Sequence, residues 1–158
     1  MAAQGTTSAG LLLYRRAAGE VEALLVHPGG PFWKKKDEGA WSIPKGEPEP
    51  EEELFSAAVR EFREEIGITP KCNFVSLGSI KQKSGKTVHA WAFEAEPGQT
   101  INVVSNTFEI EWPPRSGKMQ VFPEIDRAEF FSLAEAAKKI NEAQRPFLER
   151  LRQALNAE

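Results

Sequence analysis

The 158-residue sequence has a single cysteine, Cys72, which excludes a disulfide within the chain. It has no run approaching the roughly 20 apolar residues that a bilayer-spanning helix needs. The N-terminal "MAAQGTTSAGLLLYRR" sets only three leucines behind small and polar residues, which suits neither a signal peptide nor a membrane span. An excess of positive charge is also missing. The net charge of −3 at neutral pH argues against nucleic acid or an anionic membrane as the main partner. No internal repeat or low-complexity tract appears beyond the short acidic "EPEPEEE". These absences predict a soluble, cytoplasmic protein, and they leave room for a small phosphorylated ligand held by a local basic patch or a metal.

What is present predicts a packed core. Apolar residues make up 41% of the chain and charged residues 27%, with four Trp and ten Phe, unlike a disordered composition. A chain of this length buries about 70% of its unfolded surface on folding, so one domain over residues 1–158 is expected. "AGLLLYRR" and "VEALLVHP" read as strands joined by the turn-like "AAGE", and the loop "GGPFWKKKDEGA" leads to a short strand "WSIP". "NFVSLGSIKQ" and "TVHAWAFEAE" read as strands joined through Ser84 and Gly85. "SNTFEIEW" and "EFFSL" read as further strands, and "LAEAAKKI" and "PFLERLRQAL" as closing helices. Strands around a central helix, followed by a second helical layer, predict a layered α/β domain with a mixed sheet.

The central helix is predicted over Glu51–Ile66. Phe55, Val59, Phe62 and Ile66 form an apolar stripe, Pro50 and its acidic neighbours suit the first turn, and Gly67 ends the helix. On this helix Glu61, Glu64 and Glu65 point within about 100° of one another, roughly 135° from the centre of the stripe. Like charges three and four residues apart cost a few tenths of a kcal/mol each, so helix stability does not call for them. Two readings follow: a solvated acidic face offset by Arg60 and Arg63, or a site for a hard divalent cation that takes a few carboxylates, waters and substrate phosphates as ligands.

The spacing of the whole segment favours the cation. Gly46, five residues, Glu52, seven residues, Arg60-Glu61, Phe62, one residue, Glu64-Glu65, one residue, Gly67 and Ile68 resemble the full Nudix box, residues 46–68, of the Nudix hydrolases. Phe62 stands where that family usually has Ile, Leu or Val. The resemblance implies a Nudix-type α/β/α sandwich with a mixed β-sheet. It also implies metal-assisted hydrolysis of a nucleoside diphosphate linked to another group, with Mg2+ as cofactor and Mn2+ as a substitute. It assigns metal binding to Glu61, Glu64 and Glu65, with the Gly46 carbonyl as a further ligand, and makes Glu52 and Arg60 supports of the box. Glu64 or Glu65 then serves as general base, or else Glu124 in "VFPEIDRAEFF", which resembles the loop glutamate that many members use as ligand or base. A nucleotide-sensing or protein-binding Nudix module is the alternative, although such modules commonly lose box glutamates and this chain keeps them.

Outside the box, Lys45 and the pair Arg115 and Lys118 in "WPPRSGK" are candidates for phosphate contacts, and Lys34, Lys35 and Lys36 read equally as a solvated basic loop. Trp112 is the candidate base contact, while Trp33, Trp41 and Trp91 divide between stacking and core roles. His27 and His89 read as structural, and Cys72 as a small buried residue. "IKQKSGKTV", after the box, has neither the proline of ADP-ribose pyrophosphatases nor the tyrosine of a set of diadenosine tetraphosphate hydrolases. "PKG" at residues 44–46 resembles the box entry of dinucleoside- and inositol-polyphosphate hydrolases. "WPPRSGK" and "FPEIDR" resemble a bacterial group of predicted NTP pyrophosphohydrolases. A nucleoside triphosphate or dinucleoside polyphosphate is therefore expected over a nucleotide sugar, and the sequence sets no oligomeric state.

Overall fold

Leu11, Leu12 and Leu13 are consecutive and all fully buried. That is impossible for a strand with one wet face, because successive side chains point to opposite sides. The computed structural model, which describes residues 6–71 and 73–156, shows why: helices cover both faces of the sheet. Strand β1 (Thr7–Ala17) is central, between β2 (Glu20–Pro28) and β5 (Thr87–Glu94). Leu11 and Leu13 pack on one face with Ala57, Ala58, Phe62 and Ile66 of α1 (Leu54–Ile66). Leu12 and Tyr14 pack on the other with Ala136 of α2 (Leu133–Lys139) and with Phe147, Leu148 and Leu151 of α3 (Arg145–Asn156). The layers make an α/β/α sandwich, as expected.

The sheet runs β4-β5-β1-β2-β8, with β4 at Val75–Lys81 and β8 at Ile125–Ser132. β1 and β5 are parallel and the other pairs antiparallel, so the sheet is mixed. β3 (Lys45–Gly46) pairs with Ala9 and Gly10 of β1, whereas β2 pairs with β1 only over Tyr14–Ala17. β1 and β2 therefore splay apart at one end, and residues 41–46 fill the gap. Ser42 exchanges two backbone hydrogen bonds with Val26, and the Leu11 amide donates to the Pro44 carbonyl.

Several local expectations are corrected. "WSIP" makes only isolated bridges, Trp41 to Ile140 and Ser42 to Val26, and the pairing with β1 begins one residue after it. The helix starts at Leu54, not Glu51, and its first turn holds no acid. Glu51 takes a positive φ of 67°, which belongs to the preceding turn. The buried face of α1 is Ala57, Ala58, Phe62, Glu65 and Ile66. Phe55 lies at its edge, edge-to-face with Phe74 and Trp91, because the small alanines let the helix approach β1 most closely. Strand β8 begins four residues before the expected "EFFSL". A two-stranded ribbon, β6 (Thr107–Glu111) with β7 (Met119–Pro123), stands apart from the main sheet. β7 was not expected, since it is almost wholly exposed and lacks a buried apolar alternation. Gly67 does end α1, at a left-handed φ of 77°. Among the described residues no helix is long and apolar enough to cross a membrane. Cys72 lies outside the described residues.

Candidate active site

The site forms where β3 meets α1. A Cβ on Gly46 would fall inside the Glu61 carboxyl group, so glycine is needed there for room, and the Glu61 carboxylate lies directly over the β3 backbone. Arg60 fixes this arrangement. Its Nε and Nη2 donate to the two carboxylate oxygens of Glu52 at 2.9 and 2.8 Å, and its Nη1 donates to Glu61 at 2.9 Å. Glu52 also accepts from the Glu49 amide at 2.9 Å. The Arg60 guanidinium, helped by that amide, holds the Glu52 carboxyl down at about 2. A two-pronged ion pair of this kind is directional, and it ties the loop before α1 to the first half of the helix.

Of the three box carboxylates, Glu64 is the open one, with Arg60 Nη1 at 3.6 Å. Burial pushes the Glu61 carboxyl up, against the pull of Arg60. Glu65 is only 6% exposed and its Oε2 has no hydrogen-bond partner. Burial first, then the charges of Glu61 and Glu124, push its carboxyl up to about 8. A buried carboxylate oxygen with no donor is costly, and here it faces other carboxylates. Glu124 adds its charge to the cluster from the junction of β7 and β8. Its backbone is pinned there by the Gly29 amide to its carbonyl and by its own amide to Asn106, both at 2.8 Å.

Glu65 and Glu124 line one cleft of about 310 Å³ with Trp33, Lys45, Gln82, Asn141 and Gln144. Burial and the nearby Lys86 push the Lys45 ammonium down, while Glu65 and Glu47 act the other way. The floor is a fixed amide network. Gln144, almost fully buried, accepts from the Ile43 amide at 3.1 Å and donates to Ser42 Oγ and Gln82 Oε1, each at 3.0 Å. The structure thus brings Gly46, Glu61, Glu64, Glu65, Glu124 and Lys45 to one place. Trp112, Arg115 and Lys118 do not line the cleft. They sit at the tip of the β6–β7 ribbon, where Trp112 packs edge-to-face on the exposed Phe32 at 5.2 Å. Trp41 is core, between His27 and Phe131. Gln82, Asn141 and Gln144 were missed, because they come from a turn and a helix junction with no linear spacing between them.

The donor set suits a hard divalent cation: carboxylate oxygens, one of them buried and unpaired, beside a backbone carbonyl. The side chains are not drawn into a closed cage, and among the described residues no three of His, Cys, Asp or Glu stand at ligating distance from one another. Arg60 holds Glu61 and Glu64 on its own side, which separates like charges. The NUDIX domain family model matches residues 6–151. The chain belongs to the NUDIX domain family. A Caenorhabditis elegans asymmetrical bis(5'-nucleosyl)-tetraphosphatase is 40% identical over 62 residues, which span 39% of this chain and 41% of that relative's length. A solved Ap4A hydrolase binary complex from C. elegans superposes with a TM-score of 0.69 at 23% identity, covering 97% of this chain and 99% of that one. The NUDIX domain of Shewanella oneidensis NrtR, complexed with ADP ribose, gives a TM-score of 0.68 at 14% identity, covering 96% and 88%. The MutT protein of Methanosarcina mazei gives 0.63 at 20%, covering 98% of each chain. At these identities the solved structures establish the fold.

Proposed function

We propose that this NUDIX domain is a magnesium-dependent pyrophosphohydrolase, with manganese able to substitute. Its substrate is a nucleoside diphosphate linked to another group, best a nucleoside triphosphate or a dinucleoside polyphosphate. The observation that carries the reading is the buried, partnerless Glu65 oxygen, within the field of Glu61 and Glu124, in a cleft that Glu65 and Glu124 both line. An arrangement that is unfavourable alone becomes favourable when a cation and an anionic phosphate chain complete it. Glu61, Glu64, Glu65 and the Gly46 carbonyl would hold the cation, with Glu124 closing from the opposite side. When bound, the cation neutralises the diphosphate and lowers the pKa of attacking water. Glu52 and Arg60 keep Glu61 over Gly46. Lys45 meets a phosphate as a point charge, and the Gln82–Gln144 network offers fixed donors and acceptors to the nucleoside. Arg115, Lys118 and Trp112 on the ribbon, outside the cleft, would meet only a part of the substrate that projects from it. Glu124, exposed and fixed by its backbone, is either a further ligand or the base that accepts the proton of attacking water. The similarity to the tetraphosphatase supports the dinucleoside polyphosphate class.

The test is phosphate or nucleotide release from a panel of nucleoside triphosphates, dinucleoside polyphosphates and nucleotide sugars, with magnesium and with excess chelator. Turnover with magnesium and none in chelator is expected. Full turnover in chelator would overturn the metal assignment, and a preference for nucleotide sugars would overturn the substrate class.

A further inference from the structure

His27, read from sequence as structural, is fully buried at the end of β2, where the register against β8 shifts. Both ring nitrogens are in hydrogen-bond contact. Nδ1 lies 2.8 Å from Asp126 Oδ1 and Nε2 lies 2.6 Å from the Lys36 carbonyl oxygen. Carboxylates and carbonyls only accept, and a neutral imidazole has one N–H to give. One contact would then be a buried lone pair facing a lone pair, a costly arrangement. With both nitrogens protonated the two contacts are satisfied, and Asp126 balances the charge. The other charged groups around the ring are Arg127, whose Nε is 3.9 Å from Asp126, and Asp37, which Lys139 of α2 binds.

The Lys36 carbonyl belongs to the irregular loop between β2 and Trp41. Several contacts hold that loop to the body of the protein, among them the Gly39 amide donating to the Lys138 carbonyl at 3.1 Å. Asp37 accepts from the Trp41 indole at 2.8 Å, and Lys36 is bound by His27. Lys36 in turn sets Trp33: its amide donates to the Trp33 carbonyl at 2.9 Å and its ammonium lies 5.0 Å from the indole centroid. Trp33, 39% exposed, forms part of the wall of the cleft that holds Glu65 and Glu124.

We propose that His27 is a positioning residue for substrate binding: as a two-proton donor bridging Asp126 and the Lys36 carbonyl, it fixes the loop that presents the Trp33 ring to the nucleoside. The binding part rests on the nucleotide reading of the cleft, whereas the protonation of the ring does not. The ring is tested on the wild-type protein without nucleotide, by 15N-resolved NMR of the imidazoles at neutral pH. Two protonated nitrogens on His27 are expected, and one bare nitrogen overturns the bridge. The positioning is tested by a cycle of His27→Gln, Trp33→Ala and the double variant, with the best nucleotide of the panel. Each single change should raise KM about tenfold with kcat within about threefold. The double change should raise KM no more than Trp33→Ala alone, because His27 acts through Trp33. Multiplying effects in the double variant, or loss of kcat with unchanged KM in His27→Gln, overturns the positioning role. Should His27→Gln fail to fold, Trp33→Ala alone decides: an unchanged KM removes Trp33 as a substrate contact and the proposal with it.

Discussion

Replacing Glu65 by Gln should stabilise the cation-free protein at alkaline pH while abolishing its activity. Glu65 is 6% exposed, and its carboxyl is pushed from an ordinary 4.5 up to about 8 by burial and by Glu61 and Glu124. The folded chain therefore holds a proton that the unfolded chain releases near 4.5. Where the folded state binds more protons, stability falls as pH rises. The contribution is fully present below pH 4.5 and is lost as pH rises through about 8. At about 1.4 kcal/mol per pH unit, the whole window is worth at most about 5 kcal/mol. Local relaxation reduces this to about 2–3 kcal/mol at the effective dielectric of real protein sites. Glutamine keeps the shape and never ionises, so in chelator at pH 9 the variant should melt about 5–10 °C above wild type. Near pH 4.5 the two should coincide. The assay is thermal unfolding by circular dichroism across pH 5–9, read as the difference between the two proteins so that other titrating groups cancel. Saturating magnesium at pH 9 should raise the wild-type melting temperature and leave the variant nearly unmoved. A difference independent of pH, or a variant that melts below wild type at pH 9, would refute the buried carboxylate as the source.

Three further outcomes follow from the same geometry. Gly46→Ala places a methyl group inside the Glu61 carboxyl; thermal melts should show a loss of about 1–3 kcal/mol, and the magnesium concentration for half-maximal turnover should rise. Glu64→Gln, on the exposed side of α1, should cut turnover by about a hundredfold or more with an unchanged melting curve; a large loss of stability would assign Glu64 to the fold. Glu124→Gln should lower kcat much more than it raises KM, and a base role would also remove one limb of the kcat pH profile; near wild-type turnover would leave catalysis to the box glutamates.

The sheet core was legible because its signals are local. The leucine run of β1, the alternation in β5 and the 3.6-residue period of α1 each lie within about a dozen residues. The start of α1 was not. "EPEPEEE" carries acids and prolines that suit a first turn, but Glu52 is spent on Arg60 and Glu49, and Glu51 turns into left-handed backbone. Tertiary pairing took the side chains that capping would have used. The carboxylates of α1 were legible from their spacing, yet they do not sit opposite the packed stripe. Glu65 belongs to the buried face itself, a placement that hydrophobic pattern recognition excludes by construction. The cleft floor was illegible for another reason: Gln82 and Gln144 stand 62 residues apart and meet only because β4 and the turn before α3 flank the same wedge.

That wedge also explains a residue that looks unsuited to its strand. Gly10 sits among the buried residues of β1, where glycine weakens a strand through backbone entropy and an unfilled core position. A Cβ there would come 2.5 Å from the Pro44 carbonyl oxygen and 2.8 Å from Lys45 Cβ. Residues 43–45 could then not lie against β1, and the Leu11 bond to Pro44 would be lost. β3 would move outward, carrying the Gly46 carbonyl away from Glu61 and Lys45 out of the cleft. Gly10 and Gly46 therefore act as a pair on facing strands, since Gly10 pairs with Lys45 and Ala9 with Gly46. One admits the box entry to the sheet, and the other admits the Glu61 carboxylate over it. The strand loses intrinsic stability at Gly10 so that the carboxylate helix can stand against main chain.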